Sequence, residues 1–346
     1  MKIGQCIGLL ILSISLYILW QIRDLLLLLF TAIVLATALN QLVSQLQRLQ
    51  IQRGLAVFLS IASLLTLFVV FFLLIVPPFI EQFQELVLLF PTGLGRIQNL
   101  LIFLEERFLG RFLDLPNIDS LVQQIIQQIQ PFISQILSSS INLLFLPINV
   151  VLQFLLVLIV TIMLLFNPQP YRKGFIKLFP AFYRKRVDEI LQRCETGLGN
   201  WTAGALIEMV FIGFLSGIGL WILRVPLVLA HAILAGVLNF IPNIGPTLSV
   251  VLPMAIALLD APWKAGAVLL LYIVIQNIES YWLTPTVMAH QVALLPAITL
   301  IAQIFFASFF GFLGLLIALP LTVVVRIWLE EALVKDVLDK WERAAV

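Results

Sequence analysis

Ile241-Pro242-Asn243-Ile244-Gly245-Pro246 interrupts an apolar stretch that runs from Leu227 to Asp260. Pro242 and Pro246 carry no backbone N–H, so the helix pattern cannot pass through them intact. A second apolar stretch, from Pro296 to Arg326, is broken at Phe310-Gly311-Phe312-Leu313-Gly314. In hydrocarbon each backbone N–H and C=O has to be satisfied by the chain itself. Such breaks therefore persist only inside protein or beside a water-filled cavity. Paired interrupted segments are a sequence pointer to a transporter's binding site.

The rest of the chain agrees with a membrane setting. Its 346 residues are 62% hydrophobic and 11% charged, against roughly 45–50% and 25% in soluble domains. Several runs reach about 20 apolar residues, the length that crosses a bilayer as helix. Runs such as Leu25 to Leu29 lack the alternation of a β-barrel strand. The fold class expected is an all-α polytopic membrane protein of about eight membrane segments, two of them broken or re-entrant. Cys6 and Cys194 lie far apart, in an apolar run and a basic connection, and suggest neither a disulfide nor a metal site. Residues 3–22 are long for a signal peptide and read as a retained anchor.

Candidate spans are 3–22, 25–43, 54–78, 141–166, 204–223 and 265–283, in addition to the two broken stretches. The 44–53 connection carries Arg48 and Arg53 and no acid, and the 167–203 connection carries Arg172, Lys173, Lys177, Arg184, Lys185, Arg186 and Arg193. Lys/Arg bias places both in the cytoplasm, with both termini inside and 79–140 outside. Four regions follow. They are a three-span region 1–78, an extracytoplasmic amphipathic insert 79–140, a transport region 141–326 with its basic loop 167–203, and an amphipathic tail 327–346. In the insert, Leu121, Val122, Ile125, Ile126 and Ile129 recur at helical spacing against glutamines. Whether each broken stretch crosses once or re-enters stays open, because Asp260 and Lys264 balance each other.

No enzyme signature stands out. His231 and His290 are far apart, with no ligand cluster, phosphate loop or nucleophile motif around them. Catalysis, cofactors, metals and nucleic-acid partners are not expected. The functional suspects are polar groups in apolar segments, each costly there, by roughly 2.5–3.5 kcal/mol for a charge at a helix centre. Glu208 lies about one turn into its span, where interfacial and ion-handling roles compete. Gln276, Glu279 and Ser280 share a helix face at i, i+3 and i+4. Asn239 and Asn243 flank Pro242, either capping broken ends or joining freed carbonyls in holding a cation. Pro242, Gly245, Pro246, Gly311 and Gly314 shape the backbone, and helix N-termini after Gly245 and Gly314 would turn partial positive charge toward a ligand. His231 reads first as a packed, hydrogen-bonded side chain. Gly213-x-x-x-Gly217 and Gly4-x-x-x-Gly8 permit close helix approach.

Taken together, Ile241-Pro242-Asn243-Ile244-Gly245-Pro246, Gln276-x-x-Glu279, Leu283-x-Pro285-x-x-Met288, Pro296, Gly311-x-x-Gly314 and Ala318-Leu319-Pro320-Leu321 form an ordered set. It resembles the autoinducer-2 exporter family, also called AI-2E or PerM-like permeases. Val225-Pro226 after Arg224 is similar to that family's Gly-Val-Pro corner with its glycine replaced. Two departures are Leu295, where many members have histidine, and Ala289-His290, where Gly-Lys is frequent. The resemblance implies a multi-span inner-membrane secondary transporter in a lipid bilayer, forming a homo-oligomer, with a pentamer among the assemblies. It implies as cargo a furanosyl signalling molecule or, in other branches, sodium or lithium exchanged for protons. The leading expectation is export of a small polar solute coupled to protons or cations, with Glu279, Gln276, Asn239, Asn243 and Glu208 at the site. An oligomeric cation channel or cation/proton antiporter is the alternative, and a non-transporting membrane scaffold the third.

Overall fold

A computed structural model describes residues 13–15, 17–73, 77, 148–288 and 296–339. The expected insert 79–140, residues 141–147, His290, Leu295, Cys6 and the Gly4/Gly8 pair lie outside the described residues, as does most of span 3–22. Among the described residues there is no strand, and six helices are long and apolar enough to cross a membrane. They are α1 (Arg23–Arg48), α2 (Arg53–Leu73), α3 (Ile148–Phe166), α5 (Arg184–Ile222), the helix containing α8 (Pro262–Ile278), and the helical segment containing α9 (Pro296–Trp328), which reaches that length only by joining two helices across Gly311. Shorter helices are α4 (Pro168–Lys177), α6 (Val228–Leu238) and α7 (Ile244–Asp260).

The chain divides into two compact units. The first joins Met1–Leu64, Ile148–Ala203 and His290–Val346. Its core sets Leu28 and Ala32 of α1 against Val157 of α3, with Leu35, Val160 and Leu313 packed around them. The buried Thr161 hydroxyl donates to Val157 O at 2.7 Å, and Arg53 Nη2 donates to Leu165 O at 2.9 Å, covering a carbonyl at the end of α3. The connection read as a basic loop is helical: α4 starts with Pro168 at its first turn, where a missing N–H costs nothing. The first twenty residues of α5 belong to this unit. There Val187, Ile190, Cys194, Leu198 and Trp201 are buried at helical spacing.

Within the same unit the expected tail continues α9 as a π-helical segment, Leu329–Leu338. Its buried Glu331 accepts from Arg186 Nη2 at 2.8 Å and Lys335 Nζ at 2.6 Å, and pairs with Arg193. Asp336 accepts from Arg186 Nε at 3.0 Å and the Tyr183 hydroxyl at 2.8 Å. Burial, then that hydrogen bond, raises the Tyr183 hydroxyl above the usual phenol range. These contacts tie the segment to the start of α5.

The second stretch doubles back. Gly311 has φ +64, and a Cβ on Gly314 would lie 2.2 Å from Phe306 O, eight residues earlier. An uninterrupted helix separates such residues by about 12 Å.

The second unit joins Leu65–Pro147 and Gly204–Ala289. A core of Leu220, Val225, Ala235, Ala257, Val268 and Tyr272 draws α5, α6, α7 and α8 together. The first broken stretch reverses as well. At 11 residues α6 extends about 16 Å, short of the roughly 30 Å of hydrocarbon. It packs on α7, and α7 packs on α8. Both broken stretches are helical hairpins.

Candidate functional site

Close approach of α5 and α6 comes from glycine. A Cβ on Gly213 would meet Ala232 O at 3.1 Å, and one on Gly236 would meet Met209 O at 2.5 Å. The Gly213/Gly217 pair thus has a partner, and it is α6. This contact brings the end of α6, with Asn239, beside the part of α5 that carries Met209 and its neighbour Glu208.

Between α6 and α7 the chain turns over Asn239–Asn243. Asn243 has φ +67 and ψ −47, and Ile244 N donates to Pro242 O at 2.8 Å. That is a γ-turn of the strained, positive-φ kind. Gly245 follows, where a Cβ would sit 1.8 Å from Leu238 O, so only glycine fits. The carbonyls expected to be freed by the prolines carry first hydrogen bonds: Leu238 O from Ile241 N at 2.9 Å, and Pro242 O from Ile244 N. Ser249 donates to Pro246 O at 2.9 Å, and Thr247 to Asn243 O at 2.9 Å. Helix α7 starts at Ile244, one residue before Gly245, and Asn243 occupies the N-cap position without a side-chain cap bond. These carbonyls find partners within the break itself, which turns attention to the side chains around it.

Those side chains meet at Glu279. Asn239 Nδ2 donates to Glu279 Oε1 at 2.9 Å, and Gln276 Nε2 donates to Glu279 Oε2 at 3.1 Å. Glu279 and Asn239 are 6% and 3% exposed. Glu279 opens a π-helical turn, Glu279–Leu283, through which α8 continues into Thr284–Met288. Such single turns add a residue to the helix and occur frequently at functional sites. The turn presents Thr284, whose hydroxyl donates to Glu208 Oε1 at 2.8 Å. Glu208 is buried, and Glu279 is within electrostatic reach of it. Among the described residues neither carboxyl has an ion pair, and no cluster of metal-ligating side chains occurs.

The structure therefore brings Glu279, Gln276, Asn239 and Glu208 into one unit. Asn243 lies exposed at the turn, and Gly311 and Gly314 belong to the other unit. The sequence reading missed Thr284 as the Glu208 partner, and Tyr272 and Ser216 as buried polar groups. Tyr272 was legible in principle, being two turns before Glu279 on one face. His231 is packed as expected, but its Nε2 has no hydrogen-bond partner among the described residues.

Comparison with known proteins bears on this arrangement. The model of the AI-2E family transporter matches residues 9–333. The chain belongs to the AI-2E transporter family. It is 29% identical over 308 residues to the AI-2 transport protein TqsA of Escherichia coli K12, covering 87% of this chain and 84% of TqsA. It is 24% identical over 311 residues to YhhT of the same organism, covering 89% of this chain and 84% of that protein. Against YrrI of Bacillus subtilis it is 26% identical over 150 residues; the match covers 43% of this chain and spans 42% of the length of YrrI. The family is one of transporters, and the six long apolar helices agree with a multi-pass membrane protein.

Proposed function

We propose that this AI-2E transporter is a secondary transporter that exports a small polar solute, with proton or cation movement coupled through Glu279. The observation that carries the reading is a buried carboxyl with amide donors on both oxygens and, among the described residues, no ion pair. An anion so placed is costly unless positive charge accompanies it, as a proton or a bound cation. Asn239 links that charge to the broken α6–α7 hairpin. Loading and unloading Glu279 would therefore bias the hairpin between two arrangements. The AI-2-like solute class rests on TqsA, whose name gives its cargo. Inner-membrane placement with both termini in the cytoplasm rests on the Lys/Arg asymmetry.

A cation/proton antiporter is the second reading, favoured by one detail. Asn239 Oδ1 is buried with no hydrogen-bond partner among the described residues, next to the carboxyl that its own amide holds. That acceptor and the two carboxyls make an oxygen-rich set suited to a hard cation. Saturable exchange driven by a gradient, against linear conductance, separates a carrier from a channel.

The test is a solute-retention and uptake screen in a deletion strain complemented by wild type or Glu279→Gln, followed by flux in proteoliposomes. Glu279→Gln is expected to insert normally and lose at least tenfold in gradient-driven flux; wild-type flux from this variant overturns the coupling role. A homo-oligomer is also part of the proposal, and native mass spectrometry showing only the 38.9 kDa chain would remove it.

A further inference from the structure

Five buried side-chain polar atoms lack a hydrogen-bond partner among the described residues, and four of them lie in the Gly204–Ala289 unit: Ser216 Oγ, His231 Nε2, Asn239 Oδ1 and Tyr272 OH. A buried polar group that nothing meets is costly, so a cluster of them calls for a reason. Their placement is ordered. On α8, Val268, Tyr272, Ile275 and Glu279 form a buried stripe, with Gln276 beside it reaching Glu279. On α5, Glu208 and Ser216 lie two turns apart. Thr284 bonds Glu208 near one end, and Ser216 faces Tyr272 near the other, without a closed hydrogen bond. The two helices thus run antiparallel with a polar seam between them.

The seam is built from groups suited to passing protons. A hydroxyl both donates and accepts, so Tyr272 and Ser216 can each take a proton on oxygen and release their own to the next acceptor, unchanged at the end. Amides such as Gln276 orient the carboxyl without carrying the proton. Tyr272 and Glu279 are seven residues apart, about 10 Å along the helix, a distance of roughly three to four hydrogen bonds through water. His231 on α6 is the other titratable group in the unit's interior with an unpartnered atom. The flanking residues around Tyr272 on α5, α6 and α7 are Leu220, Ala235 and Ala257, which bring no charge.

We propose that Tyr272 and Ser216 hold a file of water between them and Glu279 and relay protons along it, making them positioning residues for the coupled transport. The relay rests on the reading of Glu279 as the coupling carboxyl.

The experiment follows the carboxyl directly. Full-length protein in lipid nanodiscs is moved from H2O to D2O, and the shift of protonated-carboxyl C=O bands is timed by infrared spectroscopy. The arms are wild type, Glu279→Gln, Tyr272→Phe and Ser216→Ala. The expected result is a band lost in Glu279→Gln whose exchange slows at least tenfold in Tyr272→Phe or Ser216→Ala. Both relay variants delete an unpartnered hydroxyl and keep the packing, so gel filtration should match wild type; Ser216→Ala serves if Tyr272→Phe misfolds. A Glu279 band whose exchange rate is unchanged in both hydroxyl variants overturns the relay and leaves the coupling carboxyl standing. A spectrum in which Glu279→Gln removes no band overturns the relay and the proton form of the coupling, because Glu279 then holds no proton, and leaves only the cation form of the coupling.

Discussion

Arg224 occupies a backbone position that suits glycine, with φ +55 at the corner between α5 and α6. Left-handed backbone costs a side-chain-bearing residue about 1–2 kcal/mol, and glycine about nothing beyond its entropy. The Val225-Pro226 corner resembles a Gly-Val-Pro corner with its glycine replaced by Arg224, and the positive φ gives that replacement a physical meaning: the chain carries strain here that glycine would not. Arg224→Gly is expected to stabilise the protein by about 0.5–1 kcal/mol, read as a raised unfolding temperature in detergent; a lowered temperature would contradict the assignment of strain. Asn243 carries a second strained conformation, at the break itself. Its strain is held by Pro242, which fixes the approach, and by Gly245, which lets α7 start against Leu238. The identity of these residues was readable as punctuation. Their conformations were not, because φ at Asn243 depends on how α6 and α7 pack. Glu279 was readable as a polar group in an apolar segment, whereas its link to Asn239 joins residues 40 apart and emerges only from the fold.

The hairpins are the elements on which the site depends, and glycine decides them. A methyl on Gly245 would fall 1.8 Å from a backbone oxygen that cannot turn aside, while Gly266 in α8 has nothing within 4 Å. Gly245→Ala is therefore expected to open the α6–α7 turn, lower the unfolding temperature by several degrees and abolish flux. Gly266→Ala, a change in an open helix interior, should raise stability by about 0.5–1 kcal/mol with flux retained. Equal effects at the two positions would contradict the hairpin. The sequence pointed to the breaks through Pro242, Pro246, Gly311 and Gly314. It left reversal against kinking open because Asp260 and Lys264, now seen as an i, i+4 ion pair, carry no net charge. The basic connection 167–203 reads as a loop in the sequence because its charges mask a buried stripe, Val187, Ile190, Cys194, Leu198 and Trp201, whose spacing is helical. The π-turn at Glu279 had no local signal, since Glu279-Ser280-Tyr281-Trp282-Leu283 contains neither glycine nor proline.

As a whole, the molecule combines membership of the AI-2E family, two folded-back apolar segments and a buried carboxyl with no ion pair among the described residues. If it works as proposed, the broken α6–α7 hairpin lines the passage that the solute or cation uses. Thr247 is exposed in the first turn of α7 and differs little from cysteine in size, which makes it a probe of that passage. Cys6 and Cys194 are replaced by serine, Thr247 by cysteine, and the protein is reconstituted with the cargo found in the retention screen. Flux is then measured before and after a membrane-impermeant thiol reagent is added to either side. The modified protein is expected to lose most of its flux, and the cargo to slow the labelling. Complete modification of Thr247→Cys with flux unchanged would contradict that role of the hairpin.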